Sequence, residues 1–201
     1  MSATSHGIHE AHALYGLVER IWASHPQLPR LAMEFGAGWG PNTITRYLLQ
    51  KLPGWQGLWL EPNPTAYAGL CAAAKKEQYP VELLNMAIGV TDGTIPFYPC
   101  RSCAAYSGTV PPAKRQYAKA VKAKYDAPIQ VPQRRLETVL AGRQPGVMVM
   151  DAEERDTELV RAMMQSAVRP VIFMVEGVTA AERAQQAALL HPEYVLDPAN
   201  I

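Results

Sequence analysis

Residues 31–40 read Leu31-Ala32-Met33-Glu34-Phe35-Gly36-Ala37-Gly38-Trp39-Gly40. Leu31 to Phe35 is a short apolar run that glycines break off, the signal of a buried strand. Ile44, Tyr47, Leu48 and Leu52 then share one face of a helix. A strand that turns into a helix through three alternating glycines needs a backbone free to bend sharply or to touch a ligand. The following helix start offers unpaired amides and a positive dipole end.

Outward from this loop the pattern alternates. Residues 9–24 carry Leu14, Leu17, Val18, Ile21 and Trp22 at helical spacing, and Pro26 and Pro29 stop the helix. Strands are expected at Gly57–Leu60, Val81–Ile88, Val147–Met150, Val171–Val175 and Tyr194–Leu196. Between them, Asn63-Pro64 reads as an N-cap with proline at the first helical position. Leu159, Val160, Met163 and Met164 mark another helix, and Thr179 with Glu182 a capping box. Strands alternating with helices predict an α/β fold with a mostly parallel sheet covered on both faces. Residues 31–201 are read as the main domain, with the helix in residues 1–30 as its lid and a basic insertion at about 100–130.

The glycine spacing discriminates between ligand classes. The dinucleotide pattern G-x-G-x-x-G fails, because its third glycine would fall on Pro41 or Thr43. The spacing acid-x-G-x-G-x-G, from Glu34 to Gly40, is met throughout, and it resembles the loop of Rossmann-like S-adenosylmethionine (SAM) methyltransferases. Glu61 ends the next strand, where a carboxylate accepts both ribose hydroxyl protons of an adenosine.

Further segments narrow the resemblance. Trp59-Leu60-Glu61-Pro62-Asn63-Pro64, Leu84-Asn85-Met86-Ala87-Ile88-Gly89, Asp92 to Tyr98, Val131 to Leu140 and Met148-Val149-Met150-Asp151-Ala152-Glu153-Glu154 together resemble FkbM-type methyltransferases, over about residues 31–197. Three departures stand out: Gly38 where that family often has asparagine, Glu154 where it has glycine, and an end at Ile201 that leaves its antiparallel last strand short or missing. The resemblance implies a class I methyltransferase fold with SAM as cofactor and O-methylation of a small molecule or sugar. It implies that the backbone at Gly36, Ala37 and Gly38 passes under the methionine part, with Glu34 and Gly40 completing the loop. Asn42 and Thr43 would hold the carboxylate, and Glu61, with Pro62 and Asn63 beside it, the ribose. Asn85, Met86 and Ala87 would border the adenine, and Asp151 would face the sulfonium. Candidate bases for the acceptor proton are Asp151, Glu153, Glu154 and Glu176, with His25 a further one. Asp151 and Glu176, ending neighbouring strands, are also a candidate pair for one divalent cation.

Charge bounds the partners. The 201 residues carry 19 basic and 18 acidic side chains, with 48% hydrophobic residues, which excludes a disordered tail or a uniformly basic coat for nucleic acid. No apolar run reaches the roughly 18 residues of a membrane span. The polar start from Met1 to His12 lacks a signal-peptide core, and three cysteines suggest no disulfide framework, so a cytoplasmic location is expected. Residues 91–140 hold 8 basic and 3 acidic side chains, against 5 and 9 in residues 141–201. The helical stretch expected from Lys114 to Tyr125, with Lys119 and Lys122, would flank the acceptor site and favour an acidic acceptor, or a nucleic acid as the alternative. A non-catalytic SAM-binding protein is the other alternative, and an open sheet edge would invite a homodimer. Cys100-Arg101-Ser102-Cys103 lacks the partners of a zinc site, and in the His6, His9, His12 series a solvated helix start is read before the alternative, His9 and His12 sharing a helix face to bind a metal.

Overall fold

The computed structural model describes residues 3–40, 43–115, 122–177 and 179–195. Five strands form one parallel sheet: β1 (Leu31–Phe35), β2 (Gln56–Leu60), β3 (Val81–Leu84), β7 (Val147–Met150) and β8 (Ile172–Val175), in the order β3-β2-β1-β7-β8. The chain runs outward from β1 to β3, then returns to lie beside β1 and runs outward the other way. The strand order therefore reverses between β1 and β7, and helices cover both faces, which makes the fold Rossmann-like.

Every residue of β1 and β7 is buried, as a central strand covered on both faces requires. Their side chains alternate between two cores. Met33, Phe35, Leu58, Leu60, Met148 and Met150 meet α4 (Leu136–Leu140), α5 (Asp156–Gln165) and α6 (Ala180–Leu190). Ala32, Val147, Val149 and Ile172 meet α1 (Ala3–Ser24) and α2 (Arg46–Lys51). Trp59, wholly buried, packs on Leu70 and Ala74 of α3 (Pro64–Glu77). Asn63 caps α3, its side chain accepting from the Thr65 amide, and Thr179 and Glu182 form the reciprocal capping box of α6.

A second sheet has β4 (Ala87–Ile88), β6 (Ile129–Arg134) and β5 (Gly93–Phe97), in that order. The expected strand over residues 81–88 is therefore two strands in two sheets. The chain leaves the first at Asn85, whose Nδ2 donates to the carbonyls of Glu61 and Pro62. The expected strand at Tyr194 is instead a turn after α6, where the Tyr194 amide donates to Leu190 and its hydroxyl to Pro170; Leu196 lies outside the described residues. The helix expected from Lys114 to Tyr125 is corrected at its two described ends, and residues 116–121 lie outside the described residues. Its described part is one 3₁₀ turn, Pro112–Lys114, and a β-bridge between Tyr125 and Cys100.

Helix α1 is built into the core. Leu14, Val18 and Trp22 are buried against the sheet, and the Trp22 ring lies 5.0 Å from that of Trp55. Trp22→Ala is expected to cost about 3–5 kcal/mol in urea denaturation, whereas a helix that merely covers the site would leave stability unchanged.

Candidate active site

Strand register creates the site. Phe35 pairs with Leu60 and with Met150, Leu60 with Leu84, and Met150 with Val175. The next residue of each strand therefore falls in one row at the carboxyl edge: Asn85, Glu61, Gly36, Asp151 and Glu176. Backbone bonds carry the ladder into this row, from Glu61 N to Leu84 O at 3.1 Å and from Glu176 N to Met150 O at 3.1 Å. Above the row lies a cavity of about 410 Å³, within the range of small-ligand sites. It sits where the strand order reverses, the expected place in such a sheet.

The three loop glycines have different duties. A side chain on Gly36 would put its Cβ 2.2 Å from the Asp151 carbonyl oxygen, and one on Gly40 would strike Ala73 of α3 at 2.7 Å. Both are close approaches of the loop to its supports. Gly38, with φ +64°, meets nothing nearer than 3.9 Å. Its bare backbone faces the cavity, where a ligand can lie against it.

Glu34 holds the loop from below. It is buried, and its oxygens accept from the amides of Ile44 and Thr45, each at 2.8 Å, and from the Thr45 hydroxyl at 2.7 Å. Thr45 in turn accepts from Trp59 Nε1 at 2.8 Å. Burial pushes the Glu34 carboxyl up to about 7, against the pull of those donors. Thr43 works in the same way: its hydroxyl donates to the Ala37 carbonyl at 2.9 Å. Asn42 lies outside the described residues.

Glu61 is buried at the far side. One oxygen accepts from the Gly38 amide at 2.8 Å and the other from the Asn63 amide at 2.7 Å. Burial raises its carboxyl above the usual glutamate range, and those two amides oppose the rise. Each oxygen keeps an acceptor site for a ligand hydroxyl.

Of the residues singled out in the sequence, Glu34, Gly36, Ala37, Gly38, Glu61, Pro62, Met86, Ala87, Asp151 and Glu153 line the cavity. Asn63, Asn85 and Thr43 stand behind the lining and brace it. Gly40 packs on α3, and Glu176 sits beside Asp151 at the next strand end. Glu154, with φ +71°, follows Glu153 at φ +51° in the turn after β7, a left-handed pair that ordinarily suits glycine. His25 lies at the end of α1, its Nδ1 3.2 Å from the Ile21 carbonyl, away from the lining. Among the described residues, no group of three or more His, Cys, Asp or Glu is arranged to hold a metal ion.

Three lining groups carried no local sequence signal. Glu10 arrives from α1, Arg155 from the start of α5, and Cys103 to Thr109 from the connection between β5 and β6. Arg155 is bound at both ends of its guanidinium by Glu158, at 2.9 and 3.0 Å. The basic block contributes no described cation to the lining. Arg101 pairs with Asp126, Arg135 with Asp92, and Arg115 is buried with its Nε donating to the Val110 carbonyl. Lys114, Lys122 and Lys124 are exposed, and Lys119 lies outside the described residues.

No family model matches the sequence, and no curated protein matches it. Solved structures do show similarity. Among them is the crystal structure of Methyltransferase FkbM from Methylobacillus flagellatus KT, with 11% identity and a TM-score of 0.49 over 79% of this chain. The match covers 36% of that chain, so this chain spans about a third of its length.

Asp151 is crowded by protein inside the concave site although its side chain stays accessible to solvent there, and that crowding, with Glu176, Glu153, Asp156 and Glu34, holds its carboxyl above the aspartate range. Burial likewise pushes Asp156 up to about 7, although its Oδ1 accepts from the Ala152 amide at 2.8 Å.

Two outcomes follow from these environments. Thr45→Val strips a partner from both Trp59 and Glu34 and is expected to cost about 1–3 kcal/mol in chemical denaturation. Glu34 and Asp156 keep protons in the folded chain that the unfolded chain releases near pH 4. Their contribution to stability is therefore lost as pH rises through about 7. The melting temperature is expected to fall by a few degrees from pH 5.5 to pH 8, and Asp156→Asn, which keeps the bond to Ala152, to flatten that slope.

Proposed function

We propose that the protein binds SAM in this cavity and transfers its methyl group to a hydroxyl on a small molecule. The observation that carries the proposal is the row of Glu61, Gly36 to Gly38 and Asp151 across one cavity, set by strand register. The donor set suits the ligand. Glu61 has acceptor sites left for a ribose diol, the open backbone at Gly38 suits a flexible amino-acid tail, and Leu60, Pro62, Met86, Ala87 and Ile88 offer an apolar slot for a base. A dinucleotide has no such match, because its glycine pattern fails.

When bound, SAM supplies a methyl group on a sulfonium that is already a good leaving group. The protein's part is then to orient the acceptor, exclude water and take a proton. Asp151 takes the acceptor proton, since it lines the cavity at the carboxyl end of β7, beside the glycine loop. Glu176 positions Asp151, and Glu153 lines the acceptor side. The acceptor is an uncharged or basic small molecule, because the lining carries Glu10, Glu34, Glu61, Asp151 and Glu153, and its cation Arg155 is already paired.

Calorimetry with SAM, and with a nicotinamide dinucleotide as control, tests the proposal. SAM is expected to bind and the dinucleotide not. Glu61→Ala should weaken SAM binding at least tenfold, in keeping with two lost hydrogen bonds to a charged group, with Glu61→Gln intermediate. Unchanged affinity in a folded Glu61→Ala protein would overturn the assignment. Release of S-adenosylhomocysteine with a pool of hydroxylated acceptors separates an enzyme from a binding protein.

A further inference from the structure

Trp39 lines the cavity and leaves 42% of its surface uncovered, while Trp22, Trp55 and Trp59 are buried. A scattered exposed apolar side chain is ordinary on a protein surface. This one has a seat. Its ring lies on α3 at Gly69, where any side chain would put its Cβ 2.8 Å from Trp39 Cε3. Glycine inside a helix is a destabilising choice, and here the bare turn is what admits the indole. Trp39 and Glu61 bound one corner of the cavity. The amide of Gly38, the residue before Trp39, donates to Glu61 Oε2 at 2.8 Å. Helix α3 begins at Pro64, just after Glu61, and its Ala66 lines the cavity one turn before Gly69. The apolar slot at Leu60, Met86 and Ile88 belongs to the core on one face of the sheet, whereas α3 packs on the other, against Trp59.

We propose that Trp39 is a ligand-binding residue whose indole forms the wall on which the ribose of the bound nucleoside lies. The proposal rests on the SAM reading above and adds the residue that recognises the sugar by its apolar side. A furanose carries its hydroxyls at the rim and C–H bonds on its faces. A diol held by Glu61 therefore turns a C–H face toward the neighbouring wall of that corner, and Trp39 supplies this wall. The negative face of the indole attracts the slightly positive C–H hydrogens. Covering the rest of the indole removes apolar surface from water and adds to the affinity. The base sits in the slot on the opposite face of the sheet, so the indole is left for the sugar. The contact is with the part that SAM shares with methylthioadenosine, and not with the amino-acid tail.

The test is acrylamide quenching of tryptophan fluorescence, together with calorimetry, on the whole protein with SAM, methylthioadenosine and methionine. Acrylamide reaches Trp39 far better than the three buried indoles, so the readily quenched part of the emission belongs to Trp39 and is expected to vanish in Trp39→Phe. SAM and methylthioadenosine are each expected to shield that part from the quencher, and methionine is not; this readout needs only the wild-type protein. Trp39→Ala should weaken SAM and methylthioadenosine by the same factor, about tenfold, with Trp39→Phe, which keeps a ring, between it and the wild type. Unshielded Trp39 with SAM bound, or unchanged affinity in Trp39→Ala, would overturn the inference and leave the SAM site standing. A loss confined to SAM, or shielding by methionine, would also overturn it, because the indole would then lie against the tail. Failure of SAM to bind the wild-type protein would overturn the SAM assignment and this inference with it.

Discussion

Parallel strands that stop at one level are the constraint on which the rest of this molecule depends. Because β3, β2, β1, β7 and β8 are in register at their ends, the residues just beyond them form a single row, whatever their separation in sequence. Each then inherits a free carboxyl-edge position and the start of a connection. The row holds three acids, one amide and one glycine, and the chemistry of the cavity follows from that set.

The surrounding structure keeps this row in place by spending buried polar groups on the backbone. Glu34, Thr43, Glu61 and Asn63 are buried, and each side chain bonds to a main-chain amide or carbonyl of the loops around the cavity, while the buried Thr45 hydroxyl ties Glu34 to Trp59. Buried acids with such partners are tolerable where lone ones are not. The loop is therefore shaped before any ligand arrives, and little ordering is left for binding to accomplish.

Much of this was legible in the sequence, for identifiable reasons. Strands β1, β2, β7 and β8 are short apolar runs with sharp ends, and the loop at Gly36 to Gly40 has a spacing that few other structures need. Asn63-Pro64 and Thr179 with Glu182 announced their helix starts through local bonds. What stayed hidden depends on distance. The break at Asn85 comes from bonds to Glu61 and Pro62, more than twenty residues away. Glu10 and Arg155 reach the cavity because of how α1 and α5 pack, and no local pattern records that. The run of lysines near residue 120 looked helical by spacing, but a 3₁₀ turn ending at Lys114 and the bridge from Tyr125 to Cys100 form its described ends. Gly36, Gly38 and Gly40 looked alike on the page; only the neighbours of each show that two of them serve packing and one stands open.

The wall from Cys103 to Thr109 comes from a single connection in the small sheet, whereas the floor comes from the large one. These two halves of the cavity share no strand. An insertion, deletion or exchange in that connection that keeps Ser107, whose Oγ accepts from Asn63 Nδ2, can therefore remodel which molecules fit above the floor while Glu61, Gly38 and Asp151 stay on their own strands' ends. The architecture separates a fixed chassis from an exchangeable fitting, so chains of this build can diversify in what they accept while the chemistry beneath stays constant.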